Sequence, residues 1–248
     1  MARFLRIRDK LLLGLAITGD IFEEIRTGGG FVGSAYRQMY GFVPSKYKKS
    51  NFYATVGRML KSDLLEKVIV GGEPKFRLTP SGLKHFAREF PLIYLQTKKW
   101  DRKWRIVIYD IPEGERYIRD RLRGKLKELG FGMIQKSVWI SAYPFEDDMK
   151  DFLESKNLEK YAYIFLSDST FFGDVISLVE RVWAIEEFNQ SYAELLLEYK
   201  KVLDKEKFVE KYMQLITQDP YLPKEFLHDP WYGDEARRLF KKMSKTLS

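Results

Sequence analysis

Trp104-Arg105-Ile106-Val107-Ile108-Tyr109-Asp110 is an apolar run that reads as a β-strand closed by a carboxylate. The segments after it decide the fold. Glu115 to Leu129 reads as a helix ended by Gly130. Phe131 to Gln135 and Lys136 to Ala142 read as two strands, Pro144 to Ser155 as a second helix, and Tyr161 to Leu166 as a last strand. The order βαββαβ is that of a ferredoxin-like fold.

On its N-terminal side this segment is bounded by a Lys-rich stretch, Lys98-Lys99-Trp100-Asp101-Arg102-Lys103. Before that boundary the pattern changes. Leu12, Leu15, Ala16, Gly19 and Phe22 recur at helical spacing, with Ile17, Ile21 and Ile25 as a second row, which predicts a helix over 9–27. Thr27-Gly28-Gly29-Gly30 ends it, and residues 31–42 read as a second helix broken at Pro44-Ser45. A third helix starts near Ser50, with Phe52, Val56, Met59 and Leu60 on its buried face. Its other face shows Asn51, Tyr53, Thr55, Arg58 and Lys61. Lys67-Val68-Ile69-Val70 and Lys75-Phe76-Arg77-Leu78 are β-prone and joined by Gly71-Gly72-Glu73-Pro74, a hairpin. Thr79-Pro80-Ser81-Gly82 opens a fourth helix.

Helix, helix, helix, basic hairpin, helix is the order of a winged helix-turn-helix, in which the third helix enters the DNA major groove and the hairpin touches the backbone. The expected DNA-binding residues are Lys46, Lys48, Lys49, Asn51, Tyr53, Thr55, Arg58, Lys61, Lys75 and Arg77. The triple glycine is no phosphate loop, since no strand precedes it and no Gly-Lys-Ser/Thr comes after it.

Beyond the central segment, residues 171–204 are helix-rich, with an apolar stripe from Val175 through Val182, Trp183, Phe188 and Tyr192 to Tyr199. A further helix is expected over 205–217, a turn fixed by proline at Asp219-Pro220-Tyr221-Leu222-Pro223, and a terminal helix after Asp229-Pro230. His228 stands alone in a loop and reads as a surface or packing residue. The reading is therefore α+β in three domains, 1–97, 98–170 and 171–248.

Charge separates these domains. The chain has 248 residues and a formal net charge of +8. Residues 1–97 carry 16 Lys/Arg against 8 Asp/Glu, so the whole excess lies there, as expected of a module that binds a polyanion. With no cysteine there is no disulfide scaffold, thiol nucleophile or Cys-based metal site, and the two histidines, His85 and His228, cannot build a His-rich one. Arg3 to Lys10 followed by Leu11–Ile17 has the order of a signal peptide, but the apolar run is short and Asp20, Glu23 and Glu24 continue the pattern. A cytoplasmic protein with no membrane partner is expected.

The chain carries two resemblances. Ile106-Val107-Ile108-Tyr109-Asp110-Ile111-Pro112, Arg116, Leu129-Gly130-Phe131 and Gln135-Lys136-Ser137-Val138-Trp139 resemble the small ferredoxin-like endonuclease of CRISPR adaptation. There the Asp closing the first strand binds a divalent metal in a homodimer, and Asp110 matches that position. The whole chain resembles the phenylacetic acid degradation repressor family, the PaaX family of transcriptional regulators. The matching stretches are Tyr53-Ala54-Thr55-Val56-Gly57-Arg58-Met59-Leu60, Phe76-Arg77-Leu78-Thr79-Pro80-Ser81-Gly82, Trp100-Asp101-Arg102-Lys103-Trp104-Arg105, Ser137-Val138-Trp139-Ile140-Ser141 and Trp231-Tyr232-Gly233-Asp234-Glu235-Ala236. The resemblance implies a dimeric repressor that binds palindromic operator DNA and is released by an acyl-CoA effector, although nothing in the residues identifies a CoA site. Tyr53-Ala54-Thr55 replaces the family's Arg-Thr-Ser run, Gly57 a bulky residue, and the wing's basic residues are reduced to Lys75 and Arg77.

Three functions stay open at this point. A DNA-binding regulator needing no cofactor loses operator affinity on Arg58→Ala. A metal-dependent nuclease built on Asp110 cleaves in Mg²⁺ and is silenced by Asp110→Ala. A winged-helix adaptor has no salt-sensitive DNA affinity. The dense basic surface of Arg116, Arg119, Arg121, Arg123, Lys125 and Lys127 either contacts phosphate or pairs with Glu113, Glu115, Asp120 and Glu128.

Overall fold

The structure, a computed structural model, describes residues 7–18, 20–22, 49–70, 73–96, 98–168 and 173–245. The expected helix over 31–42 and the turns on either side of it lie outside them. Helices and two antiparallel sheets make the chain α+β. Residues group into two compact units. One holds Met1–Phe90, Glu187–Asp219 and Asp229–Ser248; the other holds Pro91–Glu186 and Pro220–His228.

In the first unit, α1 (Ile7–Thr18) carries the run that resembles a signal peptide. Leu11, Leu12, Leu13, Leu15 and Ile17 are all buried, because α1 packs against α2 (Lys49–Lys61), α3 (Pro80–Glu89), α10 (Tyr232–Lys245) and the sheet. Among the described residues no helix is long and apolar enough to cross a membrane. The expected helix over 9–27 is shorter than its pattern. Residues 20–22 form β1 (Asp20–Phe22), antiparallel to β3 (Glu73–Leu78), which in turn pairs with β2 (Leu65–Val70). The backbone bonds of β1 to β3 override the helical spacing of Ile17 and Ile21, and the glycine at position 19 is a poor helix former.

Thr79-Pro80-Ser81-Gly82 is a built junction. The Thr79 hydroxyl accepts the Gly82 N–H at 2.9 Å as an N-cap and donates to the Asp63 carbonyl. Pro80 opens α3, and the Ser81 hydroxyl donates to the Asp63 carboxylate at 2.9 Å. A Cβ on Gly82 would run into the Leu64 carbonyl oxygen. The same unit holds α8 (Ile185–Val202) from Glu187 onward, α9 (Lys205–Ile216) and α10 over an aromatic core. Tyr212 stacks on Phe208 and packs against Phe240, and Tyr192 donates to Asp219 at 2.8 Å. Asn189 accepts the Tyr232 N–H at 2.8 Å and donates to the Pro230 carbonyl at 3.1 Å, which fixes the entry to α10.

In the second unit, short α4 (Pro91–Leu95) precedes β4 (Lys103–Tyr109), α5 (Arg116–Glu128), β5 (Gly132–Gln135), β6 (Val138–Ser141), α6 (Glu146–Ser155) and β7 (Ala162–Asp168). The strand order β5-β6-β4-β7, antiparallel throughout, gives the βαββαβ arrangement expected. Val107, Tyr109, Trp139, Leu122, Leu126, Met149 and Leu153 form the core between sheet and helices. A second cluster surrounds Trp104, fully buried among Trp100, Trp183 and Phe226. The stripe over 175–199 is two helices. Ala184 takes a left-handed conformation (φ 51°) between α7 (Val175–Trp183) and α8, and the Glu180 carboxylate accepts the Glu186 N–H at 3.1 Å. His228 is not alone: its Nε2 lies 3.2 Å from Glu186 and 3.7 Å from Glu180.

Candidate nucleic-acid interface

A helix that binds nucleic acid needs one face anchored and the other free. In α2 the anchor is Val56 and Met59, both buried, with Leu60 half-buried beside them. Tyr53, Arg58 and Lys61 are exposed. Thr55, expected on the exposed face, is buried instead: it lies one turn before Met59, so it joins the anchored side. Its hydroxyl accepts from Arg58 Nη2 at 3.3 Å, and Arg58 Nε donates to the Ala54 carbonyl at 3.2 Å. Thr55 thus lays the guanidinium along the helix, with two of its five donors engaged.

The hairpin adds cations by register. Lys75 stands opposite Val68, and Arg77 opposite Glu66 on one side and Asp20 on the other. Arg77 is exposed and Lys75 half-buried, while Phe76 and Leu78 between and beyond them are buried. Opposite charge in register with Arg77 reduces the net field of the hairpin. Lys67, read from sequence only as a strand residue, places its Nζ 5.9 Å over the Phe76 ring and adds a third cation; its place in the β2 alternation was the signal. Lys49 and Asn51 lie in the first turn of α2. Lys46 and Lys48 lie outside the described residues.

Asp110 follows the last residue of β4, is exposed, and donates its backbone N–H to the Tyr161 carbonyl at 2.8 Å. Among the described residues no group of three or more His, Asp or Glu is arranged to hold a metal. A lone carboxylate fits a hard divalent cation poorly, since such ions want several oxygen ligands.

The central signature has a different role. Arg105 on β4 is buried and makes five hydrogen bonds, to both carboxylate oxygens of Asp101, both of Glu146, and the Lys103 carbonyl. All five guanidinium donors are used. Burial alone would lower the Arg105 pKa, but its hydrogen bonds to Asp101 and Glu146 raise it well above the ordinary value. The Arg105 hydrogen bond in turn holds Glu146 below the usual carboxylate range. Burial pushes Asp101 up, and hydrogen bonds from Arg105 and the Lys103 backbone outweigh it, so Asp101 also sits low.

Comparison with known proteins gives two family matches. Residues 97–179 match the PaaX protein central Cas2-like domain, and residues 183–248 the PaaX-like protein C-terminal domain. The uncharacterized protein Rv0674 from Mycobacterium tuberculosis shares the fold at a TM-score of 0.53 and 17% identity, over 82% of each chain. No curated protein matches the sequence.

Proposed function

The chain belongs to the PaaX family, and we propose on that premise that it is a DNA-binding transcriptional regulator, a dimeric repressor acting through its N-terminal segment. The observation that carries the reading is the divided surface of α2. Val56 and Met59 anchor one side, while Tyr53, Arg58 and Lys61 stand exposed on the other, in the segment that holds the chain's entire net charge. The order α1, β1, α2, β2–β3 hairpin, α3 supports a winged helix-turn-helix within 1–97, with a Cas2-like segment over 98–170 and a C-terminal helical segment over 171–248. Lys46, Lys48, Lys49, Lys75 and Arg77 then supply phosphate contacts, and Asn51, Tyr53 and Arg58 are the base-reading residues. Thr55 acts from beneath, by orienting Arg58. Two subunits place the half-sites about one helical turn apart or a multiple of it. An effector of acyl-CoA type releases the repressor, as the family resemblance implies.

The test is fluorescence anisotropy on a labelled duplex from upstream of the gene, with Mg²⁺, excess competitor DNA and varied salt, followed by a denaturing gel. Tight, salt-sensitive binding that survives competitor and leaves the probe intact supports the reading. A cleaved probe would instead make Asp110 the centre of the chemistry, and neither binding nor cleavage would leave a distant operator or an adaptor, which selection from random DNA separates.

A further inference from the structure

The basic helix of the second unit has two unlike flanks. Leu122 and Leu126 are its buried face. At 100° per residue, Tyr117, Arg121, Lys125 and Glu128 fall to one side of that face, and Arg116, Arg119, Arg123 and Lys127 to the other. The first side is self-satisfied: Lys125 pairs with Glu128 at 3.3 Å, and the Arg121 guanidinium lies 5.5 Å over the Tyr117 ring.

The second side is not. Of its four cations, two share one carboxylate: Asp120 stands 3.7 Å from Arg116 and 3.9 Å from Arg123. Among the described residues no carboxylate pairs with Arg119, Lys127 or Lys136. Arg119 Nε is buried without a hydrogen-bond partner. Arg123 donates to the Tyr109 hydroxyl at 2.9 Å and to the Lys136 carbonyl at 3.1 Å, so Lys136, in the β5–β6 turn, extends the row. Arg116, Lys127 and Lys136 are exposed.

We infer that this flank of α5, with Lys136, is a second polyanion-binding surface that grips the phosphate backbone of duplex DNA without reading its sequence. From Arg116 to Lys127 the row runs about 16 Å along the helix. Along the duplex axis each strand presents a phosphate roughly every 3.4 Å, so the row faces several phosphates at once. Surfaces for single strands interleave aromatic rings with their cations. This row has none, since Tyr117 points to the other flank. The inference rests on the reading of the chain as a duplex-binding regulator, and adds a contact that α2 does not supply.

The test uses the full chain, a short random-sequence duplex and anisotropy over a salt series. The triple variant Arg116→Gln, Lys127→Gln, Lys136→Gln removes only exposed charges. The control Arg121→Gln, Lys150→Gln, Lys156→Gln removes three charges elsewhere on the same unit. The triple variant is expected to flatten the slope of log K against log salt by about 2–3, near 0.9 per lost phosphate contact, while the control keeps the wild-type slope. Replacing the same three residues by another cation, with Arg116→Lys, Lys127→Arg and Lys136→Arg, is expected to retain it. A triple variant whose slope equals the control's, on a wild type that does bind, overturns the second surface and leaves the regulator reading intact. A wild type that binds single-stranded RNA or DNA but not duplex overturns the duplex assignment. A wild type that binds no nucleic acid overturns both readings.

Discussion

Arg105 and Glu146 stand 41 residues apart in the chain and meet at 2.8 Å between Nε and a carboxylate oxygen. The contact ties β4, the first strand of the central sheet, to the first residue of α6. The Arg105 side chain is 2% exposed, whereas Asp101 and Glu146 remain 42% and 32% exposed. A buried cation is thus carried by two carboxylates that keep part of their hydration. The arrangement accounts for Asp101 and Arg105 in the Trp100–Arg105 signature as structure, with no chemistry required of them.

Arg105→Met is expected to destabilise the chain by about 2–4 kcal/mol, since it strips two carboxylates of the partner they share. Arg105→Lys is expected to cost nearly as much, because an ammonium cannot serve both carboxylates in the plane of a guanidinium fork. Urea midpoints measure both. A midpoint unchanged in either variant rejects the cluster as a stabilising element.

Acid should erase that difference. Asp101 and Glu146 both titrate below their ordinary values in the folded chain. Groups of that kind contribute stability that is complete above their unfolded pKa, near 4, and is lost as pH falls through the lower folded value. Wild type is therefore expected to lose more stability than Arg105→Met between neutral pH and pH about 3. Urea unfolding at several pH values reads the gap between the two proteins, and a gap that stays constant into acid contradicts the assignment.

The central sheet was legible because its strands are short apolar runs between clear helix and turn signals. The runs expected over Trp104 to Asp110 and Lys136 to Ala142 are strands over Lys103–Tyr109 and Val138–Ser141. β1 was not legible: three residues with no alternation of their own are strand only because β3 lies beside them. The break at Ala184 was hidden for another reason. No glycine or proline marks it, and the apolar stripe runs through it unbroken. Of the expected DNA-binding residues, Tyr53, Arg58 and Lys61 are exposed as their spacing predicts. Thr55 was misplaced although its spacing of four to Met59 pointed inward. His228 met Glu186 and Glu180 through contacts far apart in sequence, for which no local pattern exists.

Two glycines in the first unit should respond in opposite directions. Gly57 lies inside α2, and a Cβ added there would find nothing within 4 Å, so Gly57→Ala is expected to stabilise by about 0.5–1 kcal/mol. Gly82→Ala would drive a Cβ into the Leu64 carbonyl and is expected to destabilise by about 1–3 kcal/mol. Thermal melts of the two variants, run side by side, decide it: equal shifts would mean that close approach at Leu64 is not what fixes glycine at 82.

Gly132 makes the same argument in the second unit. A Cβ there would run into Val182 and meet the Trp183 ring at 2.6 Å, so only glycine lets α7 lie on β5. Gly132→Ala is expected to displace α7 and loosen Trp183 from Trp104, with which it now stacks at 6.2 Å. Tryptophan fluorescence should shift to the red while far-ultraviolet circular dichroism changes little. An unshifted spectrum would refute the packing.

Base contacts and phosphate contacts leave different marks, and α2 offers one candidate for each. Arg58 is fixed along the helix by Thr55 and Ala54, which suits a directional contact to a base edge. Lys61 is exposed at the last turn of α2 with no partner fixing it among the described residues, which suits a phosphate. Arg58→Ala is expected to cost about 1–3 kcal/mol on the operator and little on random duplex, so the ratio between them shrinks. Thr55→Val should weaken operator binding in the same direction by a smaller amount, since it removes the hydroxyl that orients Arg58 and leaves the charge. Lys61→Ala is expected to weaken both DNAs alike and to lower the salt slope by about 1. Anisotropy on operator and random duplexes separates the outcomes, and an Arg58→Ala protein with unchanged operator affinity removes α2 as the reading helix.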